Sequence, residues 1–152
     1  MDKENKTFYC EISTPDGAVL EGEFVSVNLP AVDGYMGVLA GRAPVTAVVA
    51  TGLITLEKAG GESEGLFVSR GFLRVHENNM TVLAEECKPI ADLDPEVAWE
   101  ILQRAYKMPS DTAEQREIRD EAIASGRIRF SLAQKARKGM MSLDEMMSRG
   151  LG

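Results

Sequence analysis

The sequence changes its period once, at Lys88-Pro89, and that change confines the chain to a β domain followed by helices. Before this point short apolar segments recur between Gly, Pro and Asn punctuation. In Thr7–Thr14 the residues Phe8, Cys10 and Ile12 fall on one face, and Thr7, Glu11 and Ser13 on the other. Pro15-Asp16-Gly17 carries turn chemistry and leads into Ala18–Glu21 and Phe24–Leu29, where Val25, Val27 and Leu29 mark an inward face. Val45–Ala50 is nearly all apolar, which predicts cover on both sides. Leu53–Lys58, Leu66–Ser69, Phe72–His76 and Met80–Ala84 continue the series, with a polar hairpin tip at Ala59–Ser63 and a bulge or tight link at Gly71. Strands this short and this evenly spaced predict an antiparallel β-sandwich or barrel over 1–90.

From Pro95 the apolar period is that of an α-helix. Val97, Ala98, Ile101, Leu102, Ala105 and Met108 share one face, opposite Glu96, Glu100, Gln103, Arg104 and Lys107. Asp94 before Pro95 is a good N-cap, and Lys107-Met108-Pro109 ends the helix. Asp111 with Glu114 has capping-box spacing for a second helix towards Lys138, with Ile118, Ala122, Gly126, Ala133, Ala136 and Met140 on one largely small-residue face. Gly126 could end this helix. Continuity is the expectation, because a mid-helix glycine costs only about 1 kcal/mol, and a continuous helix is ~40 Å long at 1.5 Å per residue. The predicted plan is thus an all-β N-terminal domain, an antiparallel helical hairpin over 91–141, and a tail over 142–152 whose Ser142 and Glu145 suit a short, loosely held helix.

One stretch resists the β pattern. Gly34 to Pro44 interrupts apolar residues with three glycines and a proline, so it is no ordinary central strand. Apolar side chains on a stiff, bent loop suit a sandwich corner or a surface that meets another protein.

The formal charge of −7 argues against a nucleic-acid binder, which needs a net basic face. Arg127, Arg129, Lys135, Arg137 and Lys138 nevertheless lie within twelve residues that contain no acid. They suit a solvated face near a helix C-terminus, or contact with an acidic partner surface. Met1-Asp-Lys-Glu-Asn-Lys does not resemble a signal peptide, and no apolar run reaches the ~20 residues of a membrane helix.

Chemistry-bearing constellations are absent from the sequence pattern. Cys10 and Cys87 are unclustered and suit small buried positions, and the single histidine, His76, makes a zinc site improbable. Glu85, Glu86, Asp92, Asp94 and Glu96 lack EF-hand spacing and suit a helix start. Ser69 lacks the context of a hydrolase nucleophile, and no glycine-rich phosphate loop is present. No catalytic residue, metal ligand or cofactor is expected.

Three segments together resemble one family: Gly34-Tyr-Met-Gly-Val-Leu-Ala-Gly-Arg-Ala-Pro44, Phe67-Val-Ser-Arg-Gly-Phe-Leu-Arg-Val75, and Thr81 to Asp94. In order and spacing they are similar to the epsilon subunits of F-type ATP synthases, whose mitochondrial counterpart is called delta. The resemblance covers about residues 7–105. It implies a β-sandwich that grips the gamma subunit and rests on the ring of c subunits, coupling rotation to ATP synthesis in a proton-translocating enzyme. It also implies a hairpin that folds against the sandwich or extends along gamma to the alpha/beta hexamer, where it restrains ATP hydrolysis. Such a subunit is non-catalytic, enters no bilayer, and sits peripherally at the cytoplasmic face of a bacterial inner membrane.

On this resemblance the surface facing gamma or the c ring includes Tyr35, Met36, Val38, Leu39, Arg42 and Pro44, and the five cations of residues 127–138 are regulatory contacts. Ala40 and Arg42 stand where the family motif has proline and histidine, and Tyr35 stands where an acid is frequent. Val97 replaces the arginine of hairpins that bind ATP, which removes a charge-assisted donor and predicts no tight ATP binding. From another class, a free-standing β-sandwich ligand-binding module whose hairpin serves homodimerisation fits the same plan.

Overall fold

The computed structural model describes residues 6–138, and within them eight strands precede two helices. The strands are β1 (Phe8–Thr14), β2 (Gly17–Phe24), β3 (Ser26–Ala31), β4 (Gly34–Leu39), β5 (Val45–Val49), β6 (Gly52–Glu57), β7 (Ser63–His76) and β8 (Asn79–Pro89). A 3-10 turn at Ile90–Asp92 leads to α1 (Pro95–Tyr106) and α2 (Ala113–Lys138). The expected tail helix over 142–152, and Met140, lie outside the described residues.

Two long strands make the sandwich one unit. The first half of β7 pairs with β6 and its second half with β5, while β8 follows β7 along nearly its whole length. One layer therefore runs β2-β1-β8-β7-β5, and the other β4-β3-β6-β7-β8, joined again where Ala31 pairs with Val49. The pairings are antiparallel except for β1 against β8, which run parallel with Cys10 opposite Met80. Between the layers lie Phe8, Ile12, Phe24, Leu29, Ile54, Leu73 and Val82, with Cys10 and Cys87. Burial pushes the two thiols up, to about 12 and about 11, so both remain protonated and inert.

The segments expected as separate strands at Leu66–Ser69 and Phe72–His76 are one strand that bends at Arg70-Gly71. No residue is inserted there: Ser69 opposes Glu86 and Gly71 opposes Ala84 in a single register. The expected bulge or link is therefore a bend. Arg70 takes φ 27°, and a Cβ on Gly71 would stand 2.0 Å from the Leu83 carbonyl oxygen.

Double cover falls one strand later than the apolar run predicts. Val48 of β5 is open to solvent, whereas β6 is buried continuously from Gly52 to Leu56. Alternation explains the difference. Ile54 and Leu56 face the sandwich core, while Leu53 faces outward beneath the helices together with Phe67 of β7. Thr55, also buried, has no hydrogen-bond partner for its hydroxyl.

In α1, Asp94 caps as expected, its carboxylate accepting from Glu96 N at 2.9 Å. Ala98, Leu102 and Ala105 are buried, but Val97 faces solvent. The cap of α2 sits one residue beyond the Asp111/Glu114 pair. Gln115 N donates to Thr112 Oγ1 at 3.1 Å, and Gln115 Oε1 accepts from Thr112 N and Asp111 N. The helix is continuous through Gly126, which is buried with Leu102 so close that a Cβ would meet its Cδ1 at 3.1 Å. Ile123 rather than Ile118 supplies the large buried side chain here.

Gly71→Ala is expected to destabilise the chain by about 3 kcal/mol or more in urea unfolding, because the methyl must displace backbone rather than a side chain. A loss below about 1 kcal/mol would show that the bend relaxes freely.

Candidate functional site

The residues that the sequence groups at 35–44 do not form one surface. Among the described residues β4 is an edge strand paired only to β3, so Gly34–Leu39 is strand rather than loop. Alternation sends Val38 into the core, fully buried, and its side chain is removed from any contact surface. Tyr35 and Leu39 are exposed and Met36 is half-buried against the core. Tyr35 is anchored, its phenol oxygen accepting from Leu53 N at 3.2 Å; burial pushes the phenol pKa up, partly countered by that bond. Beyond the strand, Leu39 O accepts from Arg42 N at 3.2 Å and closes a tight turn that leaves Arg42 exposed, followed by exposed Pro44.

The basic run at 127–138 is largely engaged within the chain. Arg129 is the centre of the contact between α2 and the sandwich. Its guanidinium lies 4.4 Å from the centroid of the Phe67 ring and donates to both carboxylate oxygens of Glu86 on β8, Nη1 to Oε2 at 3.0 Å. These bonds, with Lys88 Nζ 3.4 Å from Glu86, hold the Glu86 carboxyl below its ordinary range against the opposing effect of burial. Around them Leu132 and Ala133 close over Leu53, Phe67, Leu93 and Ala98.

Other cations support this dock. Arg70, on the bend of β7, pairs with Glu121 of α2 and with Glu85 at 3.4 Å. Arg137 reaches Asp94 at 3.6 Å, and Arg127 donates to the Tyr106 hydroxyl at 3.0 and 3.2 Å, joining the two helices. Lys135 bonds Ser131 on its own helix. Lys138 ends α2, and its side chain lies outside the description. The acids Glu86 and Asp94 thus receive cations from α2, while Arg70 of β7 pairs with Glu85 and with Glu121 of α2, pairings that spacing in the sequence does not reveal.

A third surface went unread in the sequence. Val48, Phe72 and Leu83 are 44, 62 and 55% exposed and stand side by side on β5, β7 and β8, with Ser13 of β1 next in register. Together they form an apolar strip across the outer face of one layer, beside a shallow groove edged by Pro15 and Arg70. Its signal was available: each of the three stands out of phase with the inward residues Val49, Leu73, Val82 and Ala84 of its strand.

On the hairpin Val97, Trp99, Tyr106 and Ile118 are exposed, but the larger apolar face is turned inward. Ala98, Leu102, Ala105, Ile123, Leu132 and Ala133 are buried within the chain. Trp99 is half open on α1 and packs on Phe130, with ring centroids 5.2 Å apart.

Residues 7–90 match the family described as ATP synthase, Delta/Epsilon chain, beta-sandwich domain. The ATP synthase epsilon chain of Rhodopirellula baltica is 37% identical over 124 residues, which span 80% of this chain and 96% of that one. The ATP synthase epsilon chain of Dichelobacter nodosus is 38% identical over 101 residues, 66% of this chain and 71% of that one. In fold, the chain is similar to one in the Tetrahymena thermophila mitochondrial ATP synthase central stalk/c-ring structure, with TM-score 0.70 at 10% identity, over 86% of this chain and 99% of that one. A chain of the Euglena gracilis mitochondrial ATP synthase OSCP/F1/c-ring structure gives TM-score 0.68 at 21% identity, over 87% and 81%.

Arg129→Ala is expected to weaken docking of α2 by about 2 kcal/mol, the scale of a charge-assisted hydrogen bond, read as faster amide exchange in residues 128–133. Because the Glu86 pKa is lowered in the docked state, its contribution is complete above the ordinary carboxylate range and is lost as pH falls through and below that range. Protection of the α2 amides, corrected for the intrinsic pH dependence of exchange, should therefore fall in acid in the native chain and change less in Glu86→Gln.

Proposed function

The chain belongs to the family of ATP synthase delta/epsilon chains, and from that membership we propose that it is a non-catalytic central-stalk subunit of a proton-translocating F-type ATP synthase. It couples rotation of the c ring to ATP synthesis in the catalytic hexamer. Its partners are the gamma subunit and the c ring, with the alpha/beta hexamer engaged transiently by the hairpin. No helix among the described residues is long and apolar enough to cross a membrane; from the family we place the chain peripherally, at the cytoplasmic face of a bacterial inner membrane.

The observation that carries the assignment is the exposed strip Val48-Phe72-Leu83. Contiguous apolar side chains on the outer face of a stiff sheet mark a surface that another protein covers, and gamma is the partner we assign to it. Torque requires that the gripped body not shear. β7 and β8, which belong to both layers, supply that stiffness, since a load on the strip passes along continuous strands into the second layer. The turn at Leu39–Arg42 and the exposed end of β4 are left for the c ring.

The hairpin supports a regulatory role. Its dock combines one well-buried apolar cluster with the charge pairs Arg70–Glu121, Arg129–Glu86 and Arg137–Asp94. An acidic surface elsewhere can compete for Arg129 and Arg137, so these two serve the docked state and an extended, hydrolysis-restraining state in turn, in which Arg127, Lys135 and Lys138 join them. Val97, exposed on α1, offers no charged donor to a phosphate.

Two measurements test these assignments. Phe72→Arg places a charge at the centre of the strip and should reduce co-purification with gamma at least tenfold, as expected when a central interface aromatic is lost; undiminished gamma binding would remove this face from the interface. Titration calorimetry of the full chain with ATP should show no micromolar binding, and micromolar affinity would overturn the role given to Val97.

A further inference from the structure

Gly41-Arg42 closes a turn in which the family motif has proline before the glycine and this chain has Ala40. Leu39 O accepts from Arg42 N at 3.2 Å, and Gly41, the third residue, takes φ +85°. These are the marks of a type II turn, whose second position proline stiffens by presetting φ and whose third favours glycine. Ala40 presets nothing, so the turn needs another restraint to hold Arg42 in place.

Asn78 provides one. This residue lies 37 positions away in the turn between β7 and β8, and its Oδ1 accepts from Gly41 N at 2.8 Å. The anchor is itself fixed. Asn78 takes φ 62°, a left-handed conformation that asparagine tolerates better than most residues. Its backbone carbonyl accepts from Tyr9 N at 2.9 Å, at the start of β1. The neighbouring Asn79 secures the same turn by donating from Nδ2 to Glu77 O at 3.1 Å. The carboxamide therefore projects from a turn that is hydrogen-bonded both internally and to the start of β1.

We propose that Asn78 is a positioning residue for the partner-facing turn, replacing with one side-chain hydrogen bond the stiffness that proline would give at position 40. The proposal rests on the assignment of Leu39–Arg42 as a contact with the stalk base. Proline at 40 is compatible with the observed backbone: Leu39 before it is extended, as a residue preceding proline must be, and φ at Ala40 is not positive.

The test compares the full-length chain with Asn78→Gly and the double variant Asn78→Gly/Ala40→Pro. Glycine keeps the left-handed turn while removing only the carboxamide. In Asn78→Gly, exchange of the Gly41 amide should rise about five- to tenfold, the loss expected for one hydrogen bond, with the thermal midpoint little changed. Binding to the purified gamma and c-ring assembly should fall by a similar factor. In the double variant the binding should return towards that of the parent although the hydrogen bond stays absent, an outcome that a merely structural role for Asn78 would not give. Unchanged Gly41 exchange in Asn78→Gly, or weakened binding that Ala40→Pro fails to restore, overturns the positioning role. Faster exchange with full binding in the single variant overturns instead the assignment of the turn as a contact.

Discussion

Phe67 is enclosed on both sides, and the relation of the helices to the sandwich depends on it. One face of its strand looks into the sandwich through Leu66 and Val68, while Phe67 itself looks outward and is covered by Leu132, Ala133 and the guanidinium of Arg129. Arg129 has no need to leave this apolar site for water, because Glu86 on the adjacent strand accepts from both of its terminal nitrogens. Burying the ring contributes on the order of 2–3 kcal/mol and the cation on its face about 1 kcal/mol more.

The same two strands organise the opposite side of the molecule. β7 and β8 carry Phe67 and Glu86 in their helix-covered halves, and Phe72 and Leu83 in their open halves. The bend at Arg70-Gly71 separates the two regions, and it requires a glycine because the β8 backbone leaves no room for a methyl. Arg70, displaced from the strand geometry at that bend, reaches α2 through Glu121 and β8 through Glu85. The bend thus borders both the apolar strip and the hairpin dock, and the two surfaces meet at one pair of strands.

The Gly34–Pro44 stretch shows how local irregularity is resolved by neighbours. Its glycines do not make it a loop throughout; they make a short edge strand that ends in a tight turn. Tyr35 is tied to Leu53 and Gly41 to Asn78, so two long-range hydrogen bonds hold a segment whose own sequence leaves it loose. Val38, grouped by sequence with its exposed neighbours, belongs to the core because strand alternation turns it inward.

Period and punctuation alone determined the β-then-α plan, the cap at Asp94 and the passage of α2 through Gly126, since these depend on residues within a few positions of each other. The three ordered motifs determined the family in the same way. Three features were decided by tertiary structure. Burial on both sides belongs to β6 and not to the more apolar β5, because cover depends on where the helices lie. Arg129 and Arg137 of α2 meet Glu86 and Asp94, and Arg70 of β7 meets Glu121 of α2, across distances in sequence that no period encodes. The strip of Val48, Phe72 and Leu83 exists only where three strands lie in register, since one exposed apolar side chain per strand is ordinary and three side by side are a surface.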